Sequence, residues 1–395
     1  MLWVQMVECY GCKWLNMWRA TLVFLLFFLS VSARADLPHP EVIDVGIFSG
    51  QPIKNITVVP AAGGYRLTDG EGHRIAELEK NKPVDIALMG DHCGITMGDS
   101  TFYVRTEVIL RGHRWENFFV IHVDGHPYRM YDDDLVVRAG RERLVLVNRA
   151  AVDNYVAGVV QSESGWMRHL EYYKVQAIIA RTYALRNGGS NGHSEYHLCD
   201  GVHCQAYYGR SGYGDIIQAV ALTRGDVVVD EHGELINAVY HANCGGETVA
   251  SENVWQRPKS YLTSVADSFC VQQPGAVWEA SIPRGEFFGF LEQYFSINPS
   301  PDIKEQLLHF TQLSRTHVLQ PFDEVRLTQL RTRFNLRSTF FSFSPFNDMI
   351  YVRGRGYGHG VGLCQEGAME MAKRGYAASE IIRFYYQGVA LRTLE

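Results

Sequence analysis

The sequence has no excess of basic residues. Across 395 residues, 37 Lys and Arg stand against 43 Asp and Glu, which gives a formal net charge of −6. A protein that binds nucleic acid regardless of sequence needs a basic surface to neutralise the phosphates. The charge balance therefore argues against nucleic acid as a partner and favours neutral or mixed substrates.

The chain also lacks internal repeats, low-complexity tracts and long linkers. Its composition, 46% apolar and 20% charged, is typical of a globular protein that buries one or two sizeable cores. Repeat and fibrous architectures are thereby excluded. Without a linker, we predict no firm domain boundary within residues 36–395.

Long hydrophobic runs are absent except near the start. Leu22 to Val31 is almost wholly apolar, lies behind Lys13 and Arg19, and is followed by Ala33-Arg34-Ala35. The run is short for a membrane span, so residues 1–35 are predicted to be a signal peptide cleaved before Asp36. Because the leader before the run is long, an uncleaved membrane anchor remains the alternative. Either way, the body is expected to be exported to the periplasm or cell envelope.

A nucleotide-binding loop is missing as well. Glycine occupies every second position from Gly354 to Gly362, with His359 among them, between a predicted strand at Met349 to Arg353 and a predicted helix that stops at Gly375. A dinucleotide fingerprint starting at Gly354 would require glycine at the histidine, and no Gly-Lys-Ser/Thr ends the loop. The glycines instead indicate unusual dihedrals or close approach to a ligand or to other backbone.

Hydrophobic periodicity predicts an α+β fold. Short alternating runs in 36–147, with turns at Asp69 to Gly72 and Asp124 to Pro127, predict a mixed or antiparallel β scaffold. A period near 3.6 then predicts a helix that ends near Arg186 and is closed by Gly188 to Gly192. Its apolar stripe comprises Val175, Ile178, Ile179, Thr182 and Leu185.

The rest of the chain is predicted to mix loops, strands and helices. Strands are expected at Asp226 to Val229 and Leu235 to His241, and a more helical insertion at about Gly285 to Arg331. Two helices are expected to close the chain after the glycine loop.

Eight cysteines are present, and Cys9 and Cys12 fall in the leader. The other six would meet an oxidising compartment, where disulfides persist, but their connectivity cannot be read from sequence. The pattern His193-x5-Cys199-x3-His203-Cys204 offers four ligands of the kind zinc prefers. The alternative is a disulfide between the two cysteines, and His197 is a competing ligand.

Four segments together resemble one family, the SpoIID (stage II sporulation protein D) family of peptidoglycan lytic transglycosylases. The opening VIDVGIFSGQ also resembles it, so the likeness covers nearly the whole chain after residue 35, with 148–395 as its catalytic part. The four segments are Tyr155 to Leu185, Cys199 to Gly209 (CDGVHCQAYYG), Tyr240 to Trp255 (YHANCGGETVASENVW) and Gly354 to Gly388.

The resemblance implies that Glu163, in a loop before the amphipathic helix, is the catalytic acid. A single carboxyl can protonate the leaving oxygen and then deprotonate the sugar's 6-hydroxyl, which closes a 1,6-anhydro ring without a second carboxylate. Partial burial beside Tyr155, Trp166 and Tyr183 would raise the pKa of this acid. The implied substrate is glycan strands stripped of stem peptides.

The resemblance also implies the other site residues. A structural zinc would be held by His193, Cys199, His203 and Cys204. Substrate contacts are expected from His359, Gln365, Gln176, Arg181, Tyr183 and Gln205. The alternatives are that His359 ties its loop down through backbone contacts and that Arg181 pairs with an acid.

Cys244 and Cys270 fall where some exported relatives of the family also have cysteines. They are expected to form either a disulfide or a pair of buried thiols.

Two rival functions are considered. His359 and Cys364 lie close in sequence, and a thiol at a helix N-terminus has a lowered pKa, as thiol nucleophiles do. Catalytic Cys/His pairs usually come from distant segments, however, and the compartment favours thiol oxidation. A non-catalytic protein that binds glycan and recruits a cell-wall amidase is the stronger rival, because relatives of this fold include amidase enhancers. The chain has Glu163, which favours catalysis. The biological process, whether division, sporulation or remodelling, is left open.

Overall fold

The computed structural model describes residues 42–113, 116–165, 169–188 and 192–394. The expected signal peptide, Cys9, Cys12 and Trp166 lie outside the described residues. Pro40–Thr393 form one compact unit. None of the helices in the described ranges is long and apolar enough to cross a membrane.

The described residues before Val152 form strands, as their alternating sequence predicts. Successive side chains point alternately to the core and away from it, for example in the strands Asn55–Ala62 and Phe118–His122. The strands are β1 (Val42–Ile47), β2 (Asn55–Ala62), β3 (Tyr65–Asp69), β4 (Arg74–Leu78), β5 (Val84–Met89), β6 (His92–Met97), β7 (Ser100–Val104), β8 (Glu107–Gly112), β9 (Phe118–His122), β10 (Arg129–Asp132), β11 (Asp134–Ala139) and β12 (Leu144–Ala151).

These strands form two sheets. One has the order β13-β1-β12-β11-β8-β3-β4, where β13 is the short strand Leu198–Cys199, and the other has the order β10-β9-β2-β5-β6-β7. Neighbours pair antiparallel, except that β13 runs parallel to β1, with Leu198 opposite Val45. This pairing fixes Cys199, one of the predicted metal ligands, at one edge of the first sheet.

Two helices follow β12 directly and place the predicted catalytic residue. They are α1 (Val152–Ser164) and α2 (Leu170–Asn187), and they pack on each other and on α3 (Gly214–Leu222). The end of α2 near Arg186 is confirmed, since the Gly188 N–H bonds the Ala184 carbonyl at 2.9 Å. The helix is buried on most of its faces, beyond the predicted stripe.

The rest of the chain adds an insertion and the wall of a cleft. Its elements are β14 (Asp226–Val229), β15 (Tyr240–His241), α4 (Ser251–Trp255), β16 (Val277–Pro283), α5 (Arg284–Phe295), α6 (Pro301–Leu308), β17 (Val318–Leu319), β18 (Phe322–Arg326), α7 (Leu327–Arg333), β19 (Phe340–Phe346), β20 (Met349–Arg355), β21 (Leu363–Cys364), α8 (Gln365–Lys373), α9 (Ala378–Tyr385) and β22 (Ala390–Thr393).

Most of these elements agree with the sequence, and one prediction was wrong. The expected strand at Leu235 to His241 is reduced to an isolated bridge at Leu235 and to β15, which pairs parallel with β21. A tight turn, in which the Val239 N–H bonds the Asn237 carbonyl at 2.8 Å, interrupts the extended chain. The helical insertion is confirmed as α5, α6 and α7, and the α+β class is confirmed.

The insertion has its own apolar core. Strands β16, β20 and β19 form an antiparallel sheet, against which the three helices pack. Phe287, Phe341 and Phe343 lie at the centre of this core, with the rings of Phe341 and Phe343 stacked at 5.1 Å. A much larger core joins the first two sheets to α1, α2, α3, α8 and α9.

Candidate active site and metal-binding residues

Glu163 lies in the last turn of α1, so the prediction that it lies in a loop was wrong. Its Oε1 accepts the Ala206 N–H at 2.9 Å, and its carboxyl also hydrogen-bonds the Tyr240 phenol. The helix ends immediately after it, where Gly165 takes a positive φ of 34°. The residue is therefore held at a helix end by groups from two other segments.

Burial raises the pKa of Glu163, while the hydrogen bonds with Ala206 and Tyr240 oppose the shift. The expected direction of this shift is confirmed. A carboxylic acid whose charged form is desolvated keeps its proton to higher pH, which is what a general acid requires.

Glu163 faces a cleft of about 670 Å³ between α2, the β15 segment, α4, α7 and the glycine loop. Three further residues predicted to contact substrate line this cleft, namely Tyr183, His359 and Gln365. The sequence reasoning did not single out the other principal lining residues, which are Asn237, Tyr240, His241, Trp255, Arg331 and Tyr357. In the part of the chain that the structure describes, Glu163 is the one carboxylic acid that lines the cleft.

His241 lines the cleft and holds a buried acceptor that has no partner among the described residues. Its Nδ1 lies 3.1 Å from the Val361 carbonyl, so Nδ1 carries the proton and Nε2 has a free lone pair. This buried Nε2 and the buried Nε2 of Gln365 have no hydrogen-bond partner among the described residues. Burial holds the pKa of His241 well below its usual range, so the ring is neutral. One buried acceptor and one buried donor therefore lie unpaired in residues that line the cleft.

His359 is tied to the backbone. Its Nδ1 accepts the Val361 N–H at 3.0 Å, and the ring also hydrogen-bonds the backbone of Tyr240. Burial and the nearby Arg331 guanidinium lower the pKa of His359 to about 4. These contacts match the alternative in which this histidine fixes its loop, while its ring packs against Trp255 at 5.2 Å.

Three residues predicted to contact substrate lie beneath the cleft instead of lining it. Gln205 bonds the phenols of Tyr155 and Tyr240, and Gln176 bonds the phenol of Tyr172. Arg181 is fully buried. It donates to Asp153 at 2.9 Å and to the carbonyls of Thr223 and Asp226. The structure brings none of the three to the cleft surface.

The four predicted metal ligands converge. One donor atom from each of His193, Cys199, His203 and Cys204 lies within 4.8 Å of every other. The sulfur of Cys204 is 3.4 Å from His193 Nε2 and 3.5 Å from His203 Nδ1. His197 lies outside this group, and its Nδ1 accepts the Asp44 N–H at 3.1 Å.

The spacing of these donors fits zinc. Bond lengths of about 2.3 Å to sulfur and about 2.0 Å to nitrogen in a tetrahedron place S and N about 3.5 Å apart. The structure does not show the alternative disulfide between Cys199 and Cys204. The soft and borderline donor set is the one that zinc prefers.

Known proteins similar to this chain identify its family. The family model described as "Stage II sporulation protein" matches residues 140–229. An uncharacterized protein of Brachyspira hyodysenteriae is 30% identical over 260 residues, which cover 63% of this chain and 68% of that protein. The chain belongs to the SpoIID family.

Two named relatives are also similar to the chain. The "Stage II sporulation protein D" of Bacillus amyloliquefaciens is 28% identical over 262 residues, which are 62% of this chain and 74% of that protein. The "Amidase enhancer" of Bacillus subtilis is 27% identical over 288 residues, but these cover 40% of its length. The SpoIID match at 140–229 contains Glu163 and the His/Cys group but not the wall formed by β15 and the glycine loop.

The glycine loop of this SpoIID protein packs against its own chain. Gly356, Gly358, Gly360 and Gly362 all have positive φ. A Cβ added at Gly356 would lie 2.7 Å from the Asn243 carbonyl oxygen, and one at Gly358 would lie 2.8 Å from the Cβ of His241. The close approach expected of these glycines is therefore mainly to β15 and to the segment after it. Only the segment YHANCGG, already part of the family resemblance, signalled that this stretch belongs to the site.

Cys364 does not pair with His359. Its sulfur accepts the Cys244 N–H at 3.2 Å, and the sulfur of Cys244 lies 3.3 Å from that of Cys270. All three are buried free thiols. The structure thus gives no support to the cysteine nucleophile considered above.

Proposed function

We propose that this SpoIID protein is an exported lytic transglycosylase that cleaves the MurNAc–GlcNAc bond of peptidoglycan with Glu163 as its single general acid and base. The observation that carries the proposal is a carboxylic acid with a raised pKa in a cleft whose described lining holds no second one. Glycoside hydrolases typically need two carboxyl groups, whereas intramolecular ring closure needs one.

The reaction assigns two successive tasks to one carboxyl. Protonated Glu163 gives its proton to the glycosidic oxygen as the C1–O bond breaks, and the sugar becomes an oxocarbenium-like cation. The resulting carboxylate then takes the proton of the 6-hydroxyl while that oxygen bonds to C1. The acid is regenerated, and the product ends in 1,6-anhydroMurNAc. Because the nucleophile belongs to the substrate, its effective concentration is high and no bound water has to be positioned.

The cleft wall supplies the contacts that such a glycan needs. If their side chains turn towards the cleft, the Nε2 of His241 would accept a sugar hydroxyl and the Nε2 of Gln365 would donate to a carbonyl or hydroxyl oxygen, because both atoms are unpaired in lining residues. Trp255 and Tyr357 are 42% and 50% exposed and present flat apolar faces. The described lining contains one arginine and no lysine, and such a surface suits strands stripped of their charged stem peptides.

A zinc ion held by His193, Cys199, His203 and Cys204 is part of the proposal. With four protein ligands the site is closed, so the metal would stabilise the fold and take no part in the reaction. It would link the chain after α2 to the edge strand β13 and to the segment whose Ala206 N–H bonds Glu163.

The first test is digestion of amidase-stripped glycan strands, with mass spectrometry of the ends. Wild type is expected to produce anhydro ends, and Glu163→Gln to lose about 10²–10⁴-fold in rate because the proton donor is gone. Glu292→Gln makes the same change at an exposed position on α5 and should leave the rate unchanged. Reducing ends in place of anhydro ends would contradict the transglycosylase mechanism.

The second candidate function is that of an amidase partner, favoured by the similarity to the relative named "Amidase enhancer". In that case wild type and Glu163→Gln would both be inactive alone, and both would accelerate peptide removal by a purified cell-wall amidase. A rate that depends on Glu163 without any amidase present would exclude this as the only function.

The zinc proposal has its own test. Cys199→Ser is expected to lose one equivalent of zinc, measured by inductively coupled plasma mass spectrometry on protein exchanged into metal-free buffer, and to melt at a lower temperature. Cys93→Ser removes a buried thiol that lies outside the group and should keep the metal. Zinc retained in full by Cys199→Ser would refute these ligands.

A further inference from the structure

A second group of donors lies behind the wall of the cleft. Cys244, Asp267, Cys270 and Cys364 are all fully buried, and one donor atom of each lies within 4.8 Å of every other. The sulfur of Cys244 is 3.3 Å from that of Cys270 and 3.2 Å from Asp267 Oδ2. Three thiols and one carboxylate therefore point at a common centre inside the core.

Three separate segments build this group. Cys244 follows β15, Cys364 ends the parallel partner strand β21, and Asp267 and Cys270 flank a short turn. Gly245 has a positive φ of 72°, which turns the chain sharply after Cys244. The Cys244 N–H donates to the sulfur of Cys364 at 3.2 Å, a contact that favours the thiolate a metal binds.

The carboxylate is held as a metal ligand would be. Asp267 Oδ2 accepts the Tyr385 hydroxyl at 2.9 Å, and Oδ1 accepts the Phe269 N–H at 2.8 Å. Partners of this kind orient a ligand and are the usual surroundings of a metal site. The Arg315 guanidinium lies at the edge of the group, where it donates to the Cys244 carbonyl.

A disulfide between Cys244 and Cys270 would involve only two of the four donors. It would leave Cys364 as a single buried thiol and Asp267 as a buried carboxylate with no cation directly bonded to it. Burying a charge without compensation is costly, whereas one divalent cation satisfies all four donors.

We propose that Cys244, Asp267, Cys270 and Cys364 form a second metal site that takes Zn²⁺ or another thiophilic divalent cation in a closed, four-coordinate geometry. Such an ion would tie together the two strands that carry the cleft wall. His241 lies three residues before Cys244, and Gln365 follows Cys364 directly. The site would therefore position the free acceptor and donor of the cleft without touching substrate.

The test measures zinc content in four proteins purified without chelator or affinity metal. Wild type should contain two zinc ions per chain, Cys364→Ser one, Cys199→Ser one, and the double variant none. An equal zinc content in wild type and Cys364→Ser would overturn the second site. So would a Cys244–Cys270 disulfide found by peptide mapping of alkylated, non-reduced wild type.

X-ray absorption spectroscopy of wild type decides the question even if Cys364→Ser does not fold. The two sites together have five sulfur ligands, two in the first and three in the second, against three nitrogen or oxygen ligands. With both sites loaded, the average zinc therefore has more sulfur neighbours than nitrogen or oxygen neighbours. Equal numbers of sulfur and lighter neighbours, with one zinc per chain, would indicate that only the His/Cys site binds metal and would refute the proposal. This outcome is independent of whether the protein cleaves glycan.

Discussion

At the scale of single residues, burial of the Glu163 carboxylate has a free-energy cost that its hydrogen bonds do not fully offset. Burial disfavours its charged form, and the hydrogen bonds from Ala206 and Tyr240 recover only part of that free energy. The folded protein therefore holds this proton more tightly than the unfolded chain does. A functional acid kept in this state should reduce stability at neutral pH.

Glu163→Gln is expected to be more stable than wild type by an amount that depends on pH. The pKa of this carboxyl in the folded protein lies above its ordinary value of 4.5, so its favourable contribution is complete below that value. It is lost as the pH rises through the folded-state pKa. The advantage of the glutamine variant should accordingly grow across this window and then level off.

Urea unfolding of both proteins over a pH series measures this difference. Glu292→Gln makes the same chemical change at an exposed position on α5 and provides the matched control. A difference between Glu163→Gln and wild type that is independent of pH would show that the pKa of Glu163 is the same in the folded and unfolded states.

At the scale of elements, α2 shows what a sequence pattern contains and what it omits. The apolar stripe and the glycine stop predicted the helix and its end, because both are local. The pattern could not show that α1, α3, α9 and β14 would surround the helix and bury Arg181. Its place on the helix after Glu163 made this arginine a candidate for the substrate groove, but the structure confirms the alternative that it pairs with an acid, Asp153.

Arg181→Met should destabilise the protein by about 3 kcal/mol, because it removes a fully buried charge and leaves the Thr223 and Asp226 carbonyls without their donor. Arg224 is the other partner of Asp153, and its own side chain is 81% exposed. Arg224→Met should therefore cost only about 0–1 kcal/mol. Urea unfolding at neutral pH compares the two. Equal losses would mean that burial does not set the strength of this network.

The glycine loop was predicted as an element but not in its contacts. Alternating glycines between a strand and a helix indicated unusual dihedrals, which the positive φ values confirm. Its packing partner, the segment after β15, lies more than 100 residues earlier in the chain. No local pattern identifies so distant a partner, and for the same reason His241 was missed as a lining residue.

At the scale of the whole molecule, the α+β class followed from the sequence, but the order of strands did not. Each strand pattern shows which face is buried, and the same pattern is compatible with many neighbours. The first sheet joins β1 to β12 and β13, which lie about 100 and 150 residues later along the chain. The separate core of the insertion was likewise visible only as a change from strands to helices.

We expect a cavity made in one of the two apolar cores to destabilise mainly that core. Phe287→Ala, in the insertion, and Phe119→Ala, in the larger core, each remove a fully buried ring and should each cost about 3–5 kcal/mol. Hydrogen exchange followed by mass spectrometry should show faster exchange between Trp278 and Val352 in the first variant and in β2, β9 and β10 in the second. Faster exchange throughout the chain in both variants would indicate one cooperative unit.

The packing of the glycine loop also has a consequence for how this stretch tolerates change over evolution. Every second residue from Gly356 to Gly362 has a left-handed backbone, and Gly356 and Gly358 lie against β15 and the segment after it. Between these two glycines stands Tyr357, which lines the cleft and is 50% exposed. A saturation-mutagenesis map should therefore show the glycines closed to every side chain and Tyr357 open to adjustment of ligand preference. Substitution at this one position would change the chemistry of the cleft while the path of the loop stays fixed.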